Sequence, residues 1–252
     1  MKGKSVVELL EYAAAHAGAV DLSHTLEPGM PAWPTQARYG SVIYESYDRG
    51  DGALHSMITL SEHTGTHIDA PRHFIPGGLP VDKLPLSSLM GRGVTINAVF
   101  LGPGGIFTLK NLREFEGQQG KIKKGDIVLF RFGWDSKYRL QPDCAGYLKD
   151  WPGLGKEAAE YLAEKEVAAV GCDTLSLDCY GTHSPADDDG AADGNADGSD
   201  NPCHHILLGN NIPIIENVDN LSRVPVFSYI IGLPNKFKDG SGSPIRLIAF
   251  FD

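Results

Sequence analysis

The chain has 252 residues, of which 42% are hydrophobic and 21% charged, enough to bury a sizeable core in a single domain spanning 1–252. Its formal charge of −10 argues against nucleic acid or an anionic membrane as a partner, since both repel an acidic surface. No apolar run approaches the roughly 18 residues that span a bilayer.

Lys2 and Lys4 precede a stretch broken by Glu8, Glu11 and His16, so no signal-peptide core is read there. Cys144, Cys172, Cys179 and Cys203 form neither a Cys-x-x-Cys pair nor a dense disulfide framework, and are read as reduced thiols. A cytoplasmic location follows as the expectation.

In chain order, residues 6–14 place apolar side chains at helical spacing and run toward Gly18, a residue suited to a C-terminal cap, so an N-terminal helix is predicted within 1–18. Residues 54–61 alternate as a strand does. Further strands are predicted at 94–101, 126–132, 167–171, 212–215, 226–231 and 245–251, with helices at 108–115 and 156–166. Strands outnumber helices, and the class is mixed α/β. Segment 187–201 has no apolar residue larger than Ala and reads as an acidic flexible loop. Asp193, Asn195, Asp197 and Gly198 match the first half of an EF-hand loop, yet His204 stands at the twelfth position where a bidentate Glu is required, and no framing helix is read.

The densest chemistry lies between positions 63 and 74, His-Thr-Gly-Thr-His-Ile-Asp-Ala-Pro-Arg-His-Phe. Thr64, Gly65 and Thr66 are poor helix formers and Pro71 follows, so His63, His67 and Asp69 do not sit on a helix. Four residues of straight strand cover about 13 Å, whereas ligands of one ion lie a few ångströms apart. The chain must therefore turn between His63 and His67, and Gly65 is the residue able to do it. Imidazoles with a carboxylate suit zinc, manganese, iron or cobalt better than calcium or magnesium, and three protein ligands leave a position for water. Such an ion makes hydroxide available near neutral pH and polarises a carbonyl, so hydrolysis is the natural reaction. No Gly-x-Ser-x-Gly elbow competes with it, Cys203 beside His204 is a poor geometry for an activated thiolate, and no nucleotide-binding glycine motif precedes a helix.

The string from His63 to Phe74 resembles the HxGTHxDxPxHF signature of the metal-dependent cyclase family, which includes bacterial kynurenine formamidases and isatin hydrolases. The resemblance implies a swivelling β/β/α architecture, a barrel-like, mostly antiparallel sheet with flanking helices. It implies that His63, His67 and Asp69 bind one ion, that Asp69 bridges to a second, and that His73 is the acid/base group. In the formamidase branch a distant His and a Glu twelve residues later complete the site. His204 and Glu216 stand at that interval, which implies that His204 binds the second ion and that Glu216 touches both, with His205 as the competing neighbour. Trp33 falls where those enzymes place a substrate-packing indole.

The implied function is metal-dependent hydrolysis of an aryl formamide such as N-formylkynurenine, with one or two Zn or Mn ions per subunit and a small aromatic amide as substrate. The alternatives are isatin-hydrolase-like opening of a lactam or lactone, a cyclase or lyase reaction, and a metal or ligand binder without turnover. Glu216 favours the formamidase branch, because the isatin branch lacks this acid. The extra N-terminal helix, the acidic loop and Thr35-Gln36 after Trp33-Pro34 depart from the compact formamidases. A homodimer or homotetramer is the implied assembly.

Overall fold

Ser5 starts the first helix with a reciprocal cap: its side chain accepts the Glu8 N–H, and the Glu8 carboxylate accepts the Ser5 N–H. The computed structural model describes residues 5–182 and 201–252. The acidic segment 187–201, with its calcium-like half-motif, lies outside the described residues apart from Asn201. Helix α1 (Val6–His16) buries none of its side chains. It leads into β1 (Gly18–Asp21), β2 (Gly40–Glu45), β3 (His55–Thr59), β4 (His67–Asp69), β5 (Met90–Asn97) and β6 (Ile106–Phe107). Then follow α2 (Leu109–Gln119), β7 (Ile127–Arg131), β8 (Gly153–Leu154), α3 (Lys156–Glu164), β9 (Ala169–Cys172), α4 (Pro202–Gly209), β10 (Ile214–Glu216), β11 (Phe227–Pro234) and β12 (Gly242–Phe251).

The strands β12, β11, β5, β7, β9, β10 and β4 pair in that order, and β4 pairs back onto β12, so seven strands close a ring with β1 added outside β12. Closure removes the open sheet edge. The run β5, β7, β9, β10 is parallel because α2, α3 and α4 lie in the connections between its successive strands, and a parallel pair needs such a crossover. The remaining pairings of the ring, and that of β1, are antiparallel, in line with the expected barrel-like, mostly antiparallel sheet.

Alternation sorts the core into two layers. Ile127 and Leu129 of β7 point into the barrel with Ile68, Ile215, Ile230 and Leu247. Val128 and Phe130 point outward with Val94, Ile96 and Ile214 and meet Leu112 of α2, Leu162 of α3 and Leu207 of α4. Strands buried on both faces read as continuous apolar runs, which is why they were visible in the sequence.

Several elements depart from expectation, the short strands β1, β2, β6 and β8 among them. The strand predicted over 94–101 ends at Asn97, and Val99–Leu101 is a single 3-10 turn that leaves Phe100 exposed. Helix α4 was not anticipated. It begins with Pro202 in its first turn, where the missing N–H costs nothing.

Candidate metal centre

Strand β4 has a side-chain period of two, so His67 and Asp69 share one face while Ile68 fills the barrel. On β10, Glu216 stands opposite His67 and Ile214 opposite Asp69. Directly opposed residues share a face. Antiparallel register alone therefore sets Glu216 beside His67 on the outer surface of the barrel, under α4.

Gly65 provides the turn that the spacing required, with φ of +63°. A Cβ at this position would lie 2.6 Å from Leu26 Cδ2. The turn returns His63 to the cluster, where its Nδ1 is 2.6 Å from Asp69 Oδ1. After Asp69 the single turn Pro71–His73 stacks the His73 ring on that of His63, with centroids 3.9 Å apart.

His204 arrives on the first turn of α4. Asp178 holds it there: one carboxylate oxygen accepts the Cys203 N–H, and the other accepts the His204 N–H and its Nδ1–H, the last at 2.6 Å. Asp178 thus replaces a local N-cap and orients the imidazole. His67 Nδ1 donates to the Gly65 carbonyl at 2.8 Å. Both rings consequently turn Nε2 toward the carboxylates. His67 Nε2 lies 3.3 Å from Asp69 Oδ1 and 3.6 Å from Glu216 Oε2. His204 Nε2 lies 3.4 Å from Asp69 Oδ2 and 3.2 Å from Glu216 Oε1, and the latter oxygen also accepts the Leu177 N–H.

These contacts define two sets of donors, His63 with His67 and Asp69, and Asp69 with His204 and Glu216, each with its ligand atoms within 4.8 Å of one another. The residues fit a divalent ion. Asp69 is 1% exposed, and its Oδ2 is buried without a hydrogen bond, a costly condition for a carboxylate oxygen unless a cation meets it. Nitrogen and oxygen donors together match the preferences of zinc or manganese.

Charge is balanced within the cluster. Burial opposes ionisation of Asp69, but His63, His73 and His204 outweigh it and hold the carboxyl well below its usual range. Burial also disfavours charge on His204, yet Asp178, Asp69 and Glu216 lift its pKa well above 6.5. His67 is raised against burial by Asp69 and Glu216. His73 behaves differently: crowding by the protein pushes it down to about 4, with Asp69 opposing and the other imidazoles assisting. One side of its ring stays open to the cavity.

The expected residues therefore converge. His204, not His205, faces the carboxylates; His205 is exposed and its ring meets that of Phe74 edge-on. His73 belongs to neither donor set. A cavity of about 270 Å³ opens over the cluster, and Trp33, Thr35, Gln36, Phe74, Ser176 and Asn201 are among its walls. Trp33 packs edge-on against Trp151 at 6.0 Å. Sequence reasoning missed Asp178 and Ser241, which touch the outer nitrogens of His204 and His63, and Glu62, which accepts from Ser241. Only Glu62 carried a signal, its place beside His63.

The chain is similar to known proteins over most of its length. A profile of the Cyclase family, described as "Putative cyclase", matches residues 20–179. The kynurenine formamidase of Erythrobacter litoralis (strain HTCC2594) is 29% identical over 229 residues, covering 90% of this chain and 91% of its own. Isatin hydrolase A from Ralstonia solanacearum superposes with a TM-score of 0.86 at 27% identity, covering 100% of this chain and 99% of its own. Isatin hydrolase A from Labrenzia aggregata, bound to benzyl benzoate, gives 0.83 at 29% identity over 98% and 99%.

Proposed function

The chain belongs to the Cyclase family, and on that premise we propose that it is a metal-dependent hydrolase cleaving the C–N bond of a small aromatic amide, an aryl formamide of the N-formylkynurenine kind. The observation that carries this reading is Asp69, a buried carboxylate shared by two donor sets with one oxygen left for a cation. His63, His67 and Asp69 would hold one Zn or Mn ion, and Asp69, His204 and Glu216 a second. Bound there, the metal supplies Lewis acidity and water of lowered pKa.

The chain's own residues do the rest. Trp33 and Phe74 offer ring faces or edges on the cavity wall to an aromatic substrate. His73, neutral at ordinary pH because its pKa is near 4, accepts a proton from the attacking water and returns it to the departing nitrogen. Glu216 and Asp69 supply the negative charge that a bound cation would neutralise. Exposed apolar side chains on β2 and β3, among them Val42, Tyr44, Met57 and Ile58, support a homodimer or homotetramer, and four buried free thiols support a cytoplasmic location.

Opening of a lactam such as isatin is the second reading, favoured by superposition over nearly the whole chain. Identity to the two kinds of relative is almost equal, so an assay decides. After chelation and dialysis, turnover of N-formylkynurenine is expected to vanish and to return with Zn or Mn, releasing formate. Turnover of isatin with none of the formamide would transfer the assignment to the lactam reading. Activity indifferent to chelation would remove the metal from both.

Protonation gives a second expected result. A folded-state pKa raised above the unfolded one, as at His204 and His67, contributes stability below the unfolded pKa near 6.5 that is lost as pH rises through the folded value. The metal-free protein should therefore lose stability as pH rises above about 6.5, where a metal also meets less competition from protons. The rise in Tm on adding Zn is expected to grow over that range in thermal unfolding. A rise that shrinks with pH would contradict the ligand assignment.

A further inference from the structure

His67 and His204 turn Nδ1 away from the cluster, to a carbonyl and a carboxylate. His63 is reversed. Its Nδ1 faces Asp69, and its Nε2 lies 2.9 Å from Ser241 Oγ on the loop that leads into β12. The same Oγ is 2.6 Å from Glu62 Oε2, which also accepts the Ser241 N–H at 2.9 Å.

Counting protons along this chain fixes its direction. A carboxylate only accepts and a serine hydroxyl has one proton to give, so the Ser241 proton goes to Glu62. Oγ then turns a lone pair to His63, and Nε2 must be the nitrogen that carries hydrogen. Nδ1 faces Asp69 Oδ1 at 2.6 Å, and in the Nε2–H tautomer the two are acceptors that a cation between them would satisfy. The ring packs close against Gly242, where a Cβ would sit 2.6 Å from His63 Cε1 and 2.7 Å from the Ile68 carbonyl, and His73 is stacked upon it.

We infer that Glu62 and Ser241 are positioning residues that lock His63 in its Nε2–H tautomer and present Nδ1 as the ligand atom, whereas His67 and His204 bind through Nε2. Partners of this kind fix ring orientation and ligand basicity. The inference rests on the metal reading given above, but its central statement concerns which nitrogen coordinates, not which substrate is cleaved.

The test uses the zinc-loaded protein with 15N-labelled histidine. Long-range proton–nitrogen NMR is expected to identify Nδ1 as the coordinated nitrogen of His63 and Nε2 as that of His67 and His204, with a slowly exchanging Nε2–H on His63. In Ser241→Ala that hydrogen should exchange rapidly. Competition with a chelator should show one of the two zinc equivalents weakened by about tenfold or more and the other unchanged. Glu62→Ala is expected to act alike, while Glu62→Gln, whose amide oxygen still accepts from Ser241, should bind zinc nearly as the parent does and verifies that folding is not at issue. Coordination of His63 through Nε2, or unaltered zinc affinity in both Ser241→Ala and Glu62→Ala, would overturn the inference while leaving the hydrolase reading intact. A protein that takes up no zinc would sink the metal reading itself.

Discussion

Asp69→Asn is expected to strip metal from both halves of the site and to lower kcat/KM by about 10³-fold or more, since a resident ion contributes several kcal/mol and each factor of ten corresponds to about 1.4 kcal/mol. The substitution is nearly isosteric, so the barrel should persist. What changes is the centre of the cluster. Oδ1 now meets His63 Nδ1 at 2.6 Å and His67 Nε2 at 3.3 Å, and Oδ2 meets His204 Nε2 at 3.4 Å. An amide replaces one of these oxygens with an NH₂ group that repels a cation, and removes the negative charge that three imidazoles face. Glu216 is a member of the second donor set alone, so Glu216→Gln should cost one metal equivalent where Asp69→Asn costs two. Elemental analysis per chain beside steady-state kinetics separates them. Parent-like metal content in Asp69→Asn would show that this carboxylate is not the shared ligand.

Much of this centre was legible because its first half is local. Three donors fall within seven residues, and the physics of a strand forces a turn that Gly65 alone among them can make. The second half was legible only as an interval, His204 to Glu216. Periodicity could not choose between His204 and His205; helix α4 makes the choice by pointing one inward and the other to solvent. That helix was hidden because its N-terminal partner is Asp178, 26 residues away from His204 and across the segment outside the described residues. Likewise Ser241 is 178 positions from His63. Such partners exist only after the β4–β12 pairing closes the barrel, and no local pattern announces them. The apolar runs of β7 and β9 were visible, whereas their parallel pairing depended on where α2 and α3 cross.

His73 is the residue whose neighbourhood suggests ligation and whose geometry denies it. It lies four residues past Asp69, yet the turn begun by Pro71 lays its ring against His63 and outside both donor sets. Its pKa is pushed down to about 4, first by crowding within the protein and then by three neighbouring imidazoles; a cation nearby would act in the same direction. The ring is thus a neutral acceptor at physiological pH and, once protonated, a strong donor to a poor leaving group such as an anilide nitrogen. His73→Ala should retain the metal content of the parent and lose about 10² to 10⁴ in kcat. The loss should be smaller for an activated ester, whose leaving group needs no proton, than for a formamide. Equal losses on both substrates would confine His73 to packing against His63, and loss of metal together with activity would make it a ligand after all.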